Sequence, residues 1–369
     1  MQKFRWKLLK NYNLYNSFFW SVADSLNIGN IPTNFIQKIK GLNKFRITCV
    51  QIHITDQCNL DCKYCYAKNH LGDPLLLKEI IKLIHDCKKL KVHEIQLVGG
   101  EPFLYKHIKV LIEYASKLNL IIRIFTNATQ INNGWIKYLK KFKNIILVVK
   151  FDSIKGYRKH LGKNIYQKTI KIIKSLTDNG IKTNTFISVT KNNFSDVEKL
   201  IEKSFKMKTI PIVERYLPTC NSNINDELEI NAEEWLDVLN KYEKYNQTNL
   251  QKYKLISKML NFYCSCYTST LSIDTNGEAL PCPFAPKTLS LGNIKKKKIS
   301  EIFNIYKNKL AEWNAIPDTC KGCKEVSICK GGCKTYSFLK YDQFGKKDPL
   351  CKGIPPNKTM SSFNHFLFQ

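Results

Sequence analysis

No stretch of about 18 consecutive apolar residues occurs anywhere in the sequence, which argues against a membrane-spanning helix. The opening segment, MQKFRWKLLKNYNLYNSFFWSVADSL, begins basic but lacks an unbroken apolar core and a small-residue cleavage site. No secretory signal is therefore expected, and the expected location is cytoplasmic. No internal repeat is found. Acidic residues are scarce, 30 against 59 Lys and Arg, for a net charge of +29. Such an excess suits nucleic acid or an anionic surface when it is gathered in one place. Here lysines fall in nearly every segment. The one dense run, Lys295–Lys298, follows Gly292-Asn293 and reads as a solvated turn ahead of a helix. The charge is compositional, and nucleic acid is not the expected partner. With 43% hydrophobic and 24% charged residues, disorder and collagen-like or coiled-coil composition are excluded. At roughly 100–200 residues per domain, two or three domains are expected.

What the chain does have is cysteine, 14 in all and unevenly spread. Three sit together (Cys58, Cys62, Cys65), eight lie between Cys264 and Cys351, and Cys49, Cys87 and Cys220 stand alone. A disulfide scaffold belongs to short secreted chains; clustered thiols in a long chain without an export signal point to metal. Cys49 and Cys87 fall on apolar positions of a strand and a helix and read as small core residues. Cys220 follows the last strand of the regular region and reads as a packing or surface residue.

Four regions are expected: a basic, aromatic helical extension (1–45), a regular α/β region (46–216), a linker with a helix (217–250) and a small Cys-rich domain (251–369). In the second region, strand-like runs at Phe45–Ile54, Glu94–Val98, Leu120–Phe125, Ile145–Phe151, Thr183–Val189 and Thr209–Arg215 alternate with helical patterns at Leu75–Leu90, Tyr105–Leu118, Gly134–Lys141, Tyr166–Asn179 and Ser195–Phe205. Asn179-Gly180 reads as a helix stop. Six strands alternating with five helices make a parallel sheet with right-handed crossovers, a partial (β/α)6 barrel of TIM type whose site lies at the carboxyl ends of the strands. Beyond 251, short elements are expected with little apolar core of their own, held together by metal.

Directly after the first strand comes Thr55-Asp56-Gln57-Cys58-Asn59-Leu60-Asp61-Cys62-Lys63-Tyr64-Cys65, a C-x3-C-x2-C loop. Three thiolates on one loop suit three corners of a [4Fe–4S] cluster with one iron left open. Zinc completed by His53 or His70 is the alternative. The motif, with the aromatic Tyr64 before its third cysteine, resembles that of the radical S-adenosylmethionine (radical SAM) superfamily. Gly99-Gly100-Glu101-Pro102, ending the second strand, resembles the family's GGEP motif, which holds the amino group of SAM. By the same resemblance, Asn127 ends the third strand in the site, Asp152-Ser153 ends the fourth where the ribose is contacted, and Arg158 pairs with the SAM carboxylate. Glu214, ending the sixth strand, is a candidate site-lining residue.

The tail reads Cys264-x-Cys266, Gly277-x4-Cys282, Cys320-x2-Cys323-x5-Cys329-x3-Cys333 and Cys351. This arrangement resembles the SPASM domain, although Cys264-x-Cys266 is tighter than usual. Leu271–Gly277 reads as a hairpin limb with an Asn-Gly turn. The resemblance implies one auxiliary [4Fe–4S] cluster on Cys264, Cys266, Cys282 and Cys333, and another on Cys320, Cys323, Cys329 and Cys351. Two zinc ribbons are the alternative.

The resemblance therefore implies a radical SAM enzyme with three [4Fe–4S] clusters. SAM is cleaved reductively to a 5′-deoxyadenosyl radical, which abstracts a hydrogen atom from substrate. The expected substrate is a peptide or protein side chain, oxidised or crosslinked, similar to sulfatase maturation and ribosomal-peptide modification. A dehydrogenase or epimerase acting on a sugar-like small molecule is the alternative, and a nucleic-acid modifier ranks last. A flavodoxin or ferredoxin-type protein is the expected electron donor. Only about 45 residues precede the first strand, so a fused winged-helix leader-binding domain is not expected.

Overall fold

A computed structural model describes residues 47–62, 64–67, 74–152, 165–218, 226–249, 265–323 and 326–351. The expected extension at 1–45 lies outside the described residues, as do His70, Ser153, Arg158, Cys220, Cys264 and part of the linker.

Six strands alternate with helices, close to the sequence expectation: β1 (Cys49–Thr55), α1 (Leu77–Lys89), β2 (Glu94–Gly99), α2 (Ile108–Lys117), β3 (Ile121–Thr126), α3 (Asn133–Leu139), β4 (Ile145–Lys150), α4 (Ile165–Asp178), β5 (Lys182–Val189), α5 (Val197–Lys206) and β6 (Pro211–Arg215). Helix α6 (Ala232–Asn249) follows. Each helix buries one stripe, as in α1, where Ile80, Leu83, Ile84 and Cys87 recur at helical spacing and face the sheet. The start of α1 is held by Glu79, whose carboxylate accepts the Leu76 amide at 2.7 Å. Helix α4 stops at Asn179-Gly180, where Gly180 takes φ +75°.

Strands β1 to β6 are all parallel and ordered in sequence, which requires a crossover helix between neighbours. Alternate residues point to opposite faces. Val50, Ile52, Ile95, Leu97, Ile122, Ile124, Leu147, Val149 and Val213 enter the core shared with the helices. The other face carries Gln51, His53, Glu94, Gln96, Arg123, Lys150 and Glu214, and is polar.

The Cys-rich tail departs from expectation in two ways. The expected hairpin exists, β7 (Thr270–Ile273) and β8 (Ala279–Leu280), turning at Asp274–Gly277 with Gly277 at φ +91°. It does not stand apart, however: β7 pairs in parallel with β1, so the sheet runs β6-β5-β4-β3-β2-β1-β7-β8. The expectation of short elements with little apolar core is also corrected. Helix α7 (Ile299–Trp313) spans 15 residues and buries Ile299, Ile302, Tyr306, Leu310 and Trp313. Trp313 meets Tyr267 and Tyr306 edge-on, with ring centroids 5.3 and 5.1 Å away. The Tyr306 hydroxyl donates to the Thr270 carbonyl at 3.1 Å, tying α7 to β7. A fully buried side chain of this size contributes about 1.5–3 kcal/mol or more, so these aromatics give the tail an apolar core. Lys295–Lys298 are exposed and turn into α7, as read from the sequence. Two short helices, α8 (Val326–Cys329) and α9 (Lys334–Tyr341), complete the tail. Among the described residues no helix is long and apolar enough to cross a membrane.

Candidate active site at the carboxyl ends of the strands

The loop after β1 places Cys58, exposed, and Cys62 and Cys65, half-buried, beside the ends of β2 and β3. The Cys65 amide donates to the Cys62 carbonyl at 3.2 Å, and the Leu60 amide to the Cys58 sulfur at 3.4 Å. The loop is clamped against Gly99-Gly100. The Gly100 amide donates to Thr55 O at 2.7 Å and the Glu101 amide to Gln57 O at 2.8 Å. A Cβ on Gly99 would stand 2.2 Å from Thr55 O, and one on Gly100 2.2 Å from Gln57 O. Both glycines are therefore required by the backbone of the cysteine loop.

Glu101 is fully buried. Its Oε1 accepts from the Thr126 hydroxyl (2.6 Å) and the Phe103 amide (3.1 Å), and its Oε2 from the Asn127 amide (2.7 Å). The carboxylate thus staples β2 to the end of β3. Asn127 both turns the chain and faces the loop. Its Oδ1 accepts from the Thr129 amide (2.9 Å), while its Nδ2 donates to Asn59 Oδ1 (3.0 Å) and lies 3.9 Å from the Cys58 sulfur.

Asp152, also buried, accepts the Tyr64 hydroxyl at 2.7 Å and pairs with Lys150 at 3.0 Å. The Lys150 ammonium lies 4.7 Å from the Tyr64 ring centre. The loop tyrosine is thereby anchored to the end of β4. Lys150 was not singled out from the sequence. Its signal was position, a lysine closing an otherwise apolar run of Ile and Val.

Tyr66 is the second residue the sequence did not flag. Its ring packs on Phe284 (centroids 4.6 Å apart) and edge-on against His53 (5.6 Å). Burial, with Cys65, Glu214, Cys282 and Cys266 around it, pushes its hydroxyl well above the usual phenol range. Tyr66 therefore joins the first cysteine loop to the tail segment that carries Phe284 and Cys282. Glu214 pairs in register with Ser188, which accepts a hydrogen bond from Lys150, so it ends β6 on the same sheet face as Lys150. Desolvation raises its carboxyl to about 7, with Lys150 opposing the rise.

The tail thiols gather in two groups. Cys266, Cys282 and Cys333 act on the Tyr267 hydroxyl, which burial and these neighbours raise. Cys320, Cys323, Cys329 and Cys351 neighbour one another. Cys264 lies outside the described residues. Among the described residues, no group of three His, Cys, Asp or Glu side chains stands ready for a single metal ion. Cys49 and Cys87 are buried core residues, as expected.

The polar sheet face continues away from the cysteine loop as a ladder. Ser272 donates to Gln51 (3.3 Å), Gln51 to Gln96 (3.2 Å) and Gln96 to Glu94 (2.7 Å), and Arg123 forks onto both Glu94 oxygens at 2.9 and 3.3 Å. The sequence signal was available as a polar residue at every second position of otherwise apolar strands.

Compared with known proteins, residues 52–203 match the radical SAM superfamily and residues 264–331 match an iron–sulfur cluster-binding domain, SPASM. The first match contains Cys58, Cys62 and Cys65; the second reaches from Cys264 to Cys329, with Cys333 and Cys351 just beyond. The chain is 23% identical over 297 residues to the antilisterial bacteriocin subtilosin biosynthesis protein AlbA of Bacillus subtilis, covering 76% of this chain and 64% of AlbA. It is 25% identical over 331 residues to a cysteine-type anaerobic sulfatase-maturating enzyme of Clostridium novyi, covering 76% of this chain and 86% of that enzyme. The fold resembles that of Streptococcus suis SuiB bound to its precursor peptide SuiA. The TM-score is 0.64 at 19% identity, covering 88% of this chain and 82% of SuiB.

Proposed function

We propose, for a chain that is an enzyme of the radical SAM superfamily and carries a SPASM iron–sulfur domain, that it oxidises or crosslinks a side chain of a peptide or protein. Its cofactors are [4Fe–4S] clusters and SAM. When bound, they supply a 5′-deoxyadenosyl radical through one-electron cleavage of SAM.

In this reading Cys58, Cys62 and Cys65 hold the cluster that faces SAM. The Gly99–Pro102 turn, Asn127 and Asp152, with Ser153 and Arg158, form the SAM pocket. Glu101 and Asp152 serve it as braces, fixing Asn127 and Tyr64 around the loop. Cys264, Cys266, Cys282 and Cys333 hold one auxiliary cluster, and Cys320, Cys323, Cys329 and Cys351 the other. Glu214 keeps a proton-accepting carboxylate at the cavity wall near neutral pH, suited to the proton that an oxidised substrate sheds. A small flavodoxin or ferredoxin-type protein supplies the electron.

The observation that supports this reading is the packing of Tyr66, next to Cys65, on Phe284, two residues from Cys282. Contact between the first loop and the tail suits an oxidation with a nearby electron acceptor. The peptide assignment draws support from the names of AlbA and the sulfatase-maturating enzyme, whose products are a bacteriocin and a modified protein.

The test is anaerobic incubation of the reconstituted enzyme with SAM, a reductant and a library of short peptides. The expected result is 5′-deoxyadenosine formed together with a peptide that has lost two hydrogens. The triple variant C58A/C62A/C65A should form neither and should lose one cluster of three. A sugar-like substrate turning over while all peptides stay intact would replace the peptide assignment. Stoichiometric zinc with no iron–sulfur absorption would overturn the whole reading.

A further inference from the structure

Arg215 ends β6 one residue beyond Glu214, yet it turns into the tail. Its Nη2 pairs with Asp348 Oδ2 at 2.6 Å, and only 10% of the Arg215 side chain and 9% of the Asp348 side chain are exposed. The same Asp348 oxygen accepts the Cys333 backbone amide at 2.8 Å. The guanidinium lies 5.0 Å from the Tyr336 ring centre and, through the Asp348 oxygen that both share, stands beside Cys333. Asp348 is fixed in turn: its amide donates to Gly331 O, its Oδ1 accepts the Leu350 amide, and its carbonyl accepts the Cys351 amide, each at 2.9 Å. A Cβ on Gly332 would stand 2.3 Å from the Asp348 Cβ, so this packing leaves no slack.

A buried cation beside a cysteine is chemically expensive, and a surface ion pair would serve the fold as well. What it does here depends on what Cys333 holds. Reducing a thiolate-ligated cluster adds negative charge to its sulfurs. A fixed positive donor at one sulfur favours the reduced state, and hydrogen bonding to ligand sulfur is a recognised control of cluster potential. A second buried cation, Lys334, lies in the field of Cys320, Cys329 and Cys333 and so serves both tail groups. Arg215 is tied, through Asp348, to Cys333.

We propose that Arg215, oriented by Asp348, is a positioning residue that raises the reduction potential of the iron–sulfur centre held through Cys333, and of that centre selectively. This rests on the reading above that Cys333 is a cluster ligand. The arrangement makes the barrel strand that carries Glu214 also carry the group that tunes the neighbouring electron acceptor.

The experiment is a redox titration of the reconstituted enzyme followed by electron paramagnetic resonance, with iron content and circular dichroism on the same samples. R215Q should lower the midpoint of one centre, a tenfold shift in its reduction equilibrium corresponding to 59 mV for one electron. The other two centres should titrate as in the parent, and R215K should recover most of the shift. D348N, which removes the neutralising carboxylate but keeps an acceptor, should move the same centre in the opposite direction. General loosening cannot produce opposite signs, and D348N decides the matter if R215Q does not assemble. Parent-like midpoints in R215Q, or in D348N where R215Q does not assemble, overturn the proposal while leaving the cluster assignment intact. Full iron content in C333A overturns the assignment itself, and the proposal with it.

Discussion

Replacing Glu101 with glutamine tests whether this residue is a brace before it is a ligand. The carboxylate is 0% exposed and accepts three donors: the Thr126 hydroxyl, the Phe103 amide and the Asn127 amide. An amide has one acceptor oxygen. If its NH2 takes the Oε2 position, it faces the Asn127 N–H at a 2.7 Å separation, donor against donor. If it takes the Oε1 position, the Thr126 hydroxyl can turn to accept, but the Phe103 N–H cannot. Either way at least one buried donor is orphaned, and the remaining bonds lose their charge. Bonds to charged groups contribute about 1.5–3 kcal/mol and an orphaned buried donor costs about 1–3 kcal/mol, so a local loss of about 2–4 kcal/mol is expected. Hydrogen exchange on the cluster-loaded enzyme without SAM reads this directly. Peptides covering 99–105 and 121–129 should exchange roughly 30- to 1,000-fold faster in E101Q, since 1.4 kcal/mol is tenfold. Distant segments such as α7 should be unchanged. If exchange in both segments stays within about threefold of the parent while SAM binding weakens, the brace argument fails and Glu101 acts chiefly through the ligand.

Three further outcomes follow from the same geometry. G100A puts a Cβ 2.2 Å from Gln57 O, so the cysteine loop must move; iron content should fall by about one cluster in three, with circular dichroism retained, and full iron content would count against the clamp. R123M leaves Glu94 buried and uncompensated, a loss of about 3–5 kcal/mol in chemical denaturation that an E94L/R123M double variant should largely recover. Glu214 is held at about 7 against an ordinary value of 4.5, so between these pH values the unfolded chain releases a proton that the folded one keeps, and stability falls as pH rises. The melting temperature of E214Q relative to the parent should therefore climb from pH 5 to 7 and level off above; a flat difference would show that the carboxyl is not shifted.

The alternation of strands and helices was legible because it is written in local periodicity. Ile80, Leu83, Ile84 and Cys87 announce a helix face whatever surrounds them. Cysteine spacing was legible for a similar reason, since ligands on one loop must lie close in sequence. What escaped were relations between distant segments. Nothing near Thr270 says that its strand will lie beside Cys49 rather than within a separate domain. Gly99 and Gly100 were legible as part of a motif, but the sequence does not show that Thr55 and Gln57 fill the space beside them. Asp152 announced a polar strand end, but Tyr64 and Lys150, which occupy its carboxylate, come from 88 residues away and from the same strand. Helix α7 was expected after the lysine run, but its contribution to a core was not, because its buried positions include Tyr306 and Trp313 inside a Lys- and Asn-rich segment, which dilutes the apolar stripe.

The pairing of β7 with β1 has a bearing on how the molecule comes into being. Ser272 and Gln51, joined across these strands, are 221 residues apart. At about 5–20 residues per second, roughly 10–45 s of synthesis separate the two strands on the ribosome. During that interval β1 is a bare sheet edge, with unpaired amides and the start of the cysteine loop at its end. Such an edge invites pairing with other chains. Pairing of β2 on the other side covers one edge of β1, and the edge that β7 takes stays open until that strand arrives. An iron–sulfur donor that acts before β7 emerges meets a loop whose supporting strand is held from one side only.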